Sequence, residues 1–316
     1  MPKRLLLSLF ILLFSYLNFA YAMPTTNHLI RDDGSPVTYY LTRQKIASPS
    51  DTLLILLQGS ECSSVAYDST LNRGLSQVIP SADLLTVEKY GLDAYSPDPL
   101  AKELVFCPSS YIKYDSPSQR VRDVKQVLDR LQQIQTYKNI VVLGINEGGL
   151  IASRIASELP KVINAVISIN SGGRYFIDDV LYRISRKLNT EEADTEQLAF
   201  IRTTERIQRE NPEQLDLDNH GLLWWKDILS YDRQAILAQV TQPVLIISSG
   251  QEVDISIKST KQMLGSLKND DGKYNIRMMA YPNMNGQFIN LNTGQSELIR
   301  VVEDIRVWLA NYRVLQ

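Results

Sequence analysis

The strongest constraint on the fold of this 316-residue chain is a set of short apolar runs with few polar interruptions, of which 52–57, 140–143 and 243–248 are the clearest. A strand with one face in water alternates apolar and polar residues, whereas a strand that is apolar throughout has both faces covered. Strands are expected at 36–41, 52–57, 84–88, 104–107, 140–143, 162–169, 243–248 and 274–281. Between them lie stretches of helical period. In 117–133, Val121, Val124, Val127, Leu128 and Leu131 fall on one helical face. Helices are also expected at 150–159, 256–267 and 297–312. Alternating strands and helices make an α/β fold with a doubly wound, mostly parallel sheet.

One region breaks the rhythm. From about residue 173 to 239 only helical patterning is present, and Asn189 followed by Glu192 resembles a capping box opening a polar helix through about Arg209. A helical insertion after the sixth strand is expected to sit over the carboxyl edge of the sheet as a cap. The chain has no internal repeat or low-complexity linker, so one domain with a cap is expected.

The amino terminus has its own pattern. Met1-Pro2-Lys3-Arg4, an apolar run over 5–17 and Ala20-Tyr21-Ala22 are the anatomy of a secretory signal peptide, with cleavage after Ala22 and a mature chain of 23–316. The apolar run is shorter than the roughly 20 residues that span a bilayer, and no later run is long enough. A periplasmic or secreted protein follows, with no membrane span once the signal is removed. A net charge of −2, with the basic residues scattered, gives no reason to expect nucleic acid or anionic lipid. Cys62 and Cys107, each after an apolar run, fit a disulfide in an exported protein, with two buried free thiols as the alternative. Neither has a His or second Cys at ligand spacing, so no metal is expected.

The chemistry centres on Gly144-Ile145-Asn146-Glu147-Gly148-Gly149, which follows the apolar run 139–143 and opens the helical run 150–159. Strand, tight glycine-flanked turn and helix are the setting of the G-x-S-x-G nucleophile elbow, whose central side chain stands alone above the sheet. Here the centre is Asn146, and a neutral amide cannot be deprotonated into a nucleophile as a hydroxyl or thiol can.

Together with three other segments, this turn resembles the α/β-hydrolase superfamily, and is most similar to exported bacterial serine hydrolases with G-x-S-E-G-G, related to prolyl-oligopeptidase-type peptidases and esterases. The other segments are Leu53 through Ser60, Gln119-Arg120-Val121-Arg122-Asp123, and Pro243 through Gly250. The resemblance implies an oxyanion hole near Gly59, Ser60 and Glu147. It places the nucleophile position on Asn146 and the histidine on Asn285, within Tyr281-Pro282-Asn283-Met284-Asn285-Gly286-Gln287-Phe288. Val253 stands at the usual acid place, so the acid falls on Asp254, with Glu252 as the rival and a solvated loop carboxylate as the bland reading. Two of the three catalytic positions are therefore asparagine.

The expected function is that of a non-catalytic binding protein for a small molecule or a protein partner. The alternative is an active periplasmic esterase or peptidase using Ser60 or Ser63 with His220; a purely structural scaffold is a third reading. Some relatives attack through an elbow Asp, but Asn is its neutral isostere and the ester would still need a His for hydrolysis. The only histidines are His28, expected to be exposed, and His220 in Asp218-Asn219-His220-Gly221, expected in a turn or on the surface. Of Trp224 and Trp225, one is expected on the core. No cofactor is expected, since the chain lacks a dinucleotide fingerprint, a P-loop, H-E-x-x-H and an EF-hand.

Overall fold

A computed structural model of the protein describes residues 24–43, 50–96, 106–211, 215–251 and 254–312. The expected signal peptide over 1–22 and the rival acid Glu252 lie outside these. The strands are β1 (Thr25–Ile30), β2 (Pro36–Thr42), β3 (Thr52–Leu57), β4 (Asp83–Val87), β5 (Asn139–Ile145), β6 (Ala165–Ile169), β7 (Val244–Ser249) and β8 (Ile276–Tyr281). They form one sheet in the order β1-β2-β4-β3-β5-β6-β7-β8. Every pairing from β4 to β8 is parallel, and β2 runs against both of its neighbours.

The apolar runs become central strands because both faces are covered. After the short α1 (Ser109–Tyr114), the helices α2 (Pro117–Ile134), α3 (Glu147–Glu158), α7 (Arg233–Gln239) and α8 (Ile257–Asn269) cover one side, packing on Leu53, Ile55 and Leu57 of β3 and Ile140 and Val142 of β5. Leu54, Leu56, Val141 and Leu143 face the other side, against α9 (Leu298–Asn311) and the irregular helical turns of 65–78. The helical spacing read in 117–133 is the buried stripe of α2, opened by Ser116, whose hydroxyl accepts the Gln119 N–H.

Several expectations shift. β1 was not anticipated: it is polar and largely exposed at the sheet edge, so it carries no apolar run. The strand expected at 162–169 begins at Ala165, because Val162 and Ile163 close a turn on Leu159. Residues 104 and 105 of the expected strand 104–107 lie outside the described residues, and Phe106 and Cys107 are not in a strand; Phe106 is exposed. The helix expected from Leu150 starts at Glu147, immediately after the turn.

The region between β6 and β7 is helical, containing α4 (Phe176–Lys187), α5 (Thr190–Arg209), α6 (Leu222–Ser230) and α7. The Asn189 side chain accepts the Glu192 N–H at the start of α5, as the capping pattern implied. Trp224, Trp225, Ile228 and Ile207 form a core of their own with Leu150 of α3, which seats α6 against the start of α3. Unlike the first three, α7 packs beside α3 and α8 as part of the layer covering the sheet. Among the described residues no helix is long and apolar enough to cross a membrane.

Cys62, in the loop after β3, is bonded to Cys107, with their Cα atoms 5.7 Å apart. The bond forms although neither Phe106 nor Cys107 is in a strand.

Candidate active site

Asn146 stands alone at the turn between β5 and α3, exposed, with φ 50° and ψ −124°. Such a conformation strains a side chain bearing a Cβ by about 1–3 kcal/mol, and Asn is among the residues that visit positive φ most readily. Its N–H bonds the Ile169 carbonyl at 2.9 Å, tying the turn to β6. The flanking glycines are required by close approach. A Cβ on Gly148 would run into the Leu57 and Gln58 carbonyls, one on Gly144 into the Gly148 backbone, and one on Gly149 into the Ser168 and Ser171 hydroxyls. The framework that makes the turn sharp is intact whatever its central residue.

Loops after β3, β5, β6, β7 and β8 meet beneath α4 and α6 around a cavity of about 690 Å³. Ser60, Asn146, Glu147, Asp254 and Asn285 all line it; Gly59 is buried behind Ser60. The Glu147 N–H opens α3, where first-turn N–H groups have no partner within the helix.

The two positions read as acid and base are held in different ways. Asn285 is half-buried, and its Oδ1 accepts the N–H groups of Gln287 (3.0 Å) and Ile289 (2.9 Å). That carbonyl oxygen shapes its own loop, which carries the buried Phe288 at φ 61°. Asp254 is half-exposed and faces α4, with Lys187 at 3.3 Å and Arg183 at 3.9 Å.

The cavity wall contains a buried network that the sequence did not reveal. Arg120 donates to the carbonyls of Gln58 (2.8 Å) and Gly59 (3.2 Å) and pairs with Glu147 at 2.6 Å. Trp224 Nε1–H donates to the other Glu147 oxygen at 2.6 Å. One carboxylate thus joins α2, the turn and α6. In the same Q-R-V-R-D segment Asp123 accepts two bonds from Arg31, both 2.8 Å, so the segment is a structural clamp at both of these residues.

His220 meets the turn half of its expectation and not the surface half. It lies in a turn, with Asp218 and Asn219 at positive φ, but its ring is buried rather than on the surface. It stacks on Trp224 at 3.8 Å with planes 10° apart. The Tyr111 hydroxyl gives its proton to the Ser60 carbonyl, so His220 Nδ1, 3.2 Å away, must donate to Tyr111. Burial pushes this imidazole down to about 4. The ring does not line the cavity and makes no hydrogen bond to the Ser60 hydroxyl, so no Ser60–His220 dyad is assembled here. His28 is exposed on β1, beside Thr38. Both tryptophans are buried, Trp225 through Nε1–H to the Leu217 carbonyl.

Two more charged groups line the cavity. Burial raises Asp179 to about 6; it accepts the Gly173 N–H at 3.0 Å. Arg233, also lining, is 2% exposed, and burial lowers it to about 10. Among the described residues no cluster of three or more His, Cys, Asp or Glu side chains is placed to hold a metal.

Sheet order, sharp glycine-flanked turn and helical insertion together define an α/β-hydrolase fold. Known structures share it. Est1E from Butyrivibrio proteoclasticus aligns with a TM-score of 0.60 at 14% identity, over 91% of this chain and 98% of that one. The esterase Pf2001 of Pyrococcus furiosus gives 0.57 at 12% identity, over 92% and 91%. The acylaminoacyl peptidase of Pyrococcus horikoshii gives 0.59 at 10% identity, over 92% of this chain but 41% of that longer one. At such identities the likeness is one of fold, and fold does not fix activity. No protein-family model and no curated protein matches the sequence.

Proposed function

We propose that this is an exported α/β-hydrolase-fold protein that binds a ligand at the carboxyl edge of its sheet without hydrolysing it. Asn146 and Asn285 occupy the nucleophile and base positions in this reading, and Asp254 the acid position. The observation that carries it is the pair of amides: Asn146 is alone at the apex of the turn, and the Asn285 oxygen is committed to its own loop. Neither side chain can give up or take a proton at neutral pH. The cavity, within the range typical of small-molecule sites, remains in place above them. The pattern over 1–22 supports export to the periplasm or beyond.

Nucleophile and base act as a unit in such sites, so losing both removes most of the chemical step. Oxyanion donors alone leave about 10³-fold catalysis over water in triad deletions. The purified mature protein is expected not to label with a fluorophosphonate probe and not to turn over p-nitrophenyl acetate or an aminoacyl amide above that background. Asn146→Ser alone restores little. Asn146→Ser with Asn285→His restores more, limited by loss of the two loop hydrogen bonds that Asn285 makes. Clear esterase or peptidase activity of the unmodified protein, abolished by Ser60→Ala or His220→Phe, would overturn this reading in favour of an unorthodox catalytic site.

A further inference from the structure

The cavity holds a charge that the protein itself leaves incompletely matched. Arg233 sits at the start of α7 with its guanidinium almost wholly out of water. It donates to the Gly172 carbonyl and, at 2.9 Å, to the Ser168 hydroxyl, both neutral acceptors. Its Nε–H has no partner, and among the described residues no carboxylate comes within ion-pair distance of it. Asp179, the nearest counter-charge, directs its oxygens to the Gly173 and Ser256 N–H groups instead. The other cavity-lining arginines differ, since Arg174 pairs with Asp232 and Arg183 lies by Asp254. A buried cation is retained when an anion pairs with it, and a guanidinium has five N–H donors suited to a carboxylate fork.

The cap side also lends the cavity an apolar stretch, Phe176 and Val180 of α4 with Trp224 and Ile228 of α6, next to Asp179 and Arg183. An apolar wall beside a cation that no carboxylate of the protein matches suits a ligand with an apolar body and an anionic head. We infer that the cavity is a site for an organic monocarboxylate, its carboxylate paired with Arg233 and its apolar body lying under α4 and α6. This rests on the binding reading given above and names the chemistry of its ligand.

Calorimetric titration of the disulfide-intact protein with 3-phenylpropanoate, set beside 3-phenylpropanamide, tests it. The acid should bind at least about ten-fold tighter than the amide, since charge-assisted bonds are the stronger ones. Arg233→Met should abolish that preference, Arg233→Lys should keep part of it, and Arg130→Gln, at an exposed position of α2 away from the cavity, should leave it in place. The wild-type comparison stands even if Arg233→Met does not fold. Equal binding of acid and amide, or no binding of either at millimolar concentration, would overturn the anion site while leaving the non-catalytic reading untouched. Steady hydrolysis of methyl 3-phenylpropanoate would instead sink the non-catalytic reading, and the preference for acid over amide could still be read.

Discussion

The imidazole of His220 stacks on Trp224 and gives its Nδ1–H to Tyr111, so charging it forces a second proton into a buried ring. The fold lowers it to about 4 from an ordinary 6.5. Between those values the unfolded chain takes up the proton more readily, so the contribution of neutral His220 is full above about pH 6.5 and lost as pH falls toward 4. At 1.36 kcal/mol per pKa unit, the loss is about 3 kcal/mol. Asp179 acts in the opposite sense. Its raised value, about 6, means that the folded state holds its proton longer, so its contribution is present at low pH and lost as pH rises through 6. The two partly cancel in the wild type, and a variant must separate them. His220→Phe keeps an aromatic face on Trp224 and removes the titration. Relative to that variant, the wild type should lose about 3 kcal/mol of unfolding free energy between pH 7 and pH 4, read by urea denaturation. A difference that does not change with pH would mean that the ring is hydrated or already charged.

At the scale of the element, α6 is tied to the turn by Trp224 through Glu147. Glu147→Gln keeps an acceptor for Trp224 but leaves the Arg120 charge buried and unpaired, a loss of about 3–5 kcal/mol. Trp224→Phe removes one donor and leaves the ion pair whole, at about 1–3 kcal/mol. Both should speed amide hydrogen exchange across Leu222–Ser230, with the double variant falling short of the sum because the two share a partner. Unchanged exchange there would assign the seating of α6 to its apolar contacts alone. This tie also marks where the sequence stops being informative. Strands such as Thr52–Leu57 were legible because burial on both faces writes an unbroken apolar run, and α2 because its buried stripe keeps a helical period. β1 was not legible, being polar and at an edge. The turn at Asn146 was legible because its glycines are forced by backbone contact. The Arg120–Glu147–Trp224 network was not, since its bonds span 27 and 77 residues and no local pattern records them. Arg233 was invisible for the same reason, its partners Gly172 and Ser168 lying 61 and 65 residues away.

At the scale of the whole molecule, the Cys62–Cys107 bond closes a loop with a sequence separation of 45, containing β4 and the helical turns of 65–78. Those turns supply Leu71, Leu75 and Val78 to the face of the sheet that α9 covers with Val301, Ile305 and Trp308, so the loop and α9 share one core. Cys62 also follows Ser60 and Glu61, which line the cavity, so the bond steadies its rim. Closing a loop of this length restricts the unfolded chain by about 4 kcal/mol in the entropic account. The sheet itself does not depend on it, because β3, β5, β6 and β7 are covered on both faces without any contribution from Cys107. Replacing both cysteines by serine should therefore leave a folded protein with the same far-ultraviolet circular dichroism. Its unfolding free energy should drop by up to about 4 kcal/mol, and its Tm by roughly 10 °C at 2–4 °C per kcal/mol for a chain of this size. Binding of 3-phenylpropanoate should weaken less than stability, because Arg233 and its apolar wall lie on α7, α4 and α6, away from the bridged loop. Loss of the fold on reduction would make the bond essential rather than reinforcing. An unchanged Tm would mean that the loop is already held by its packing against α9.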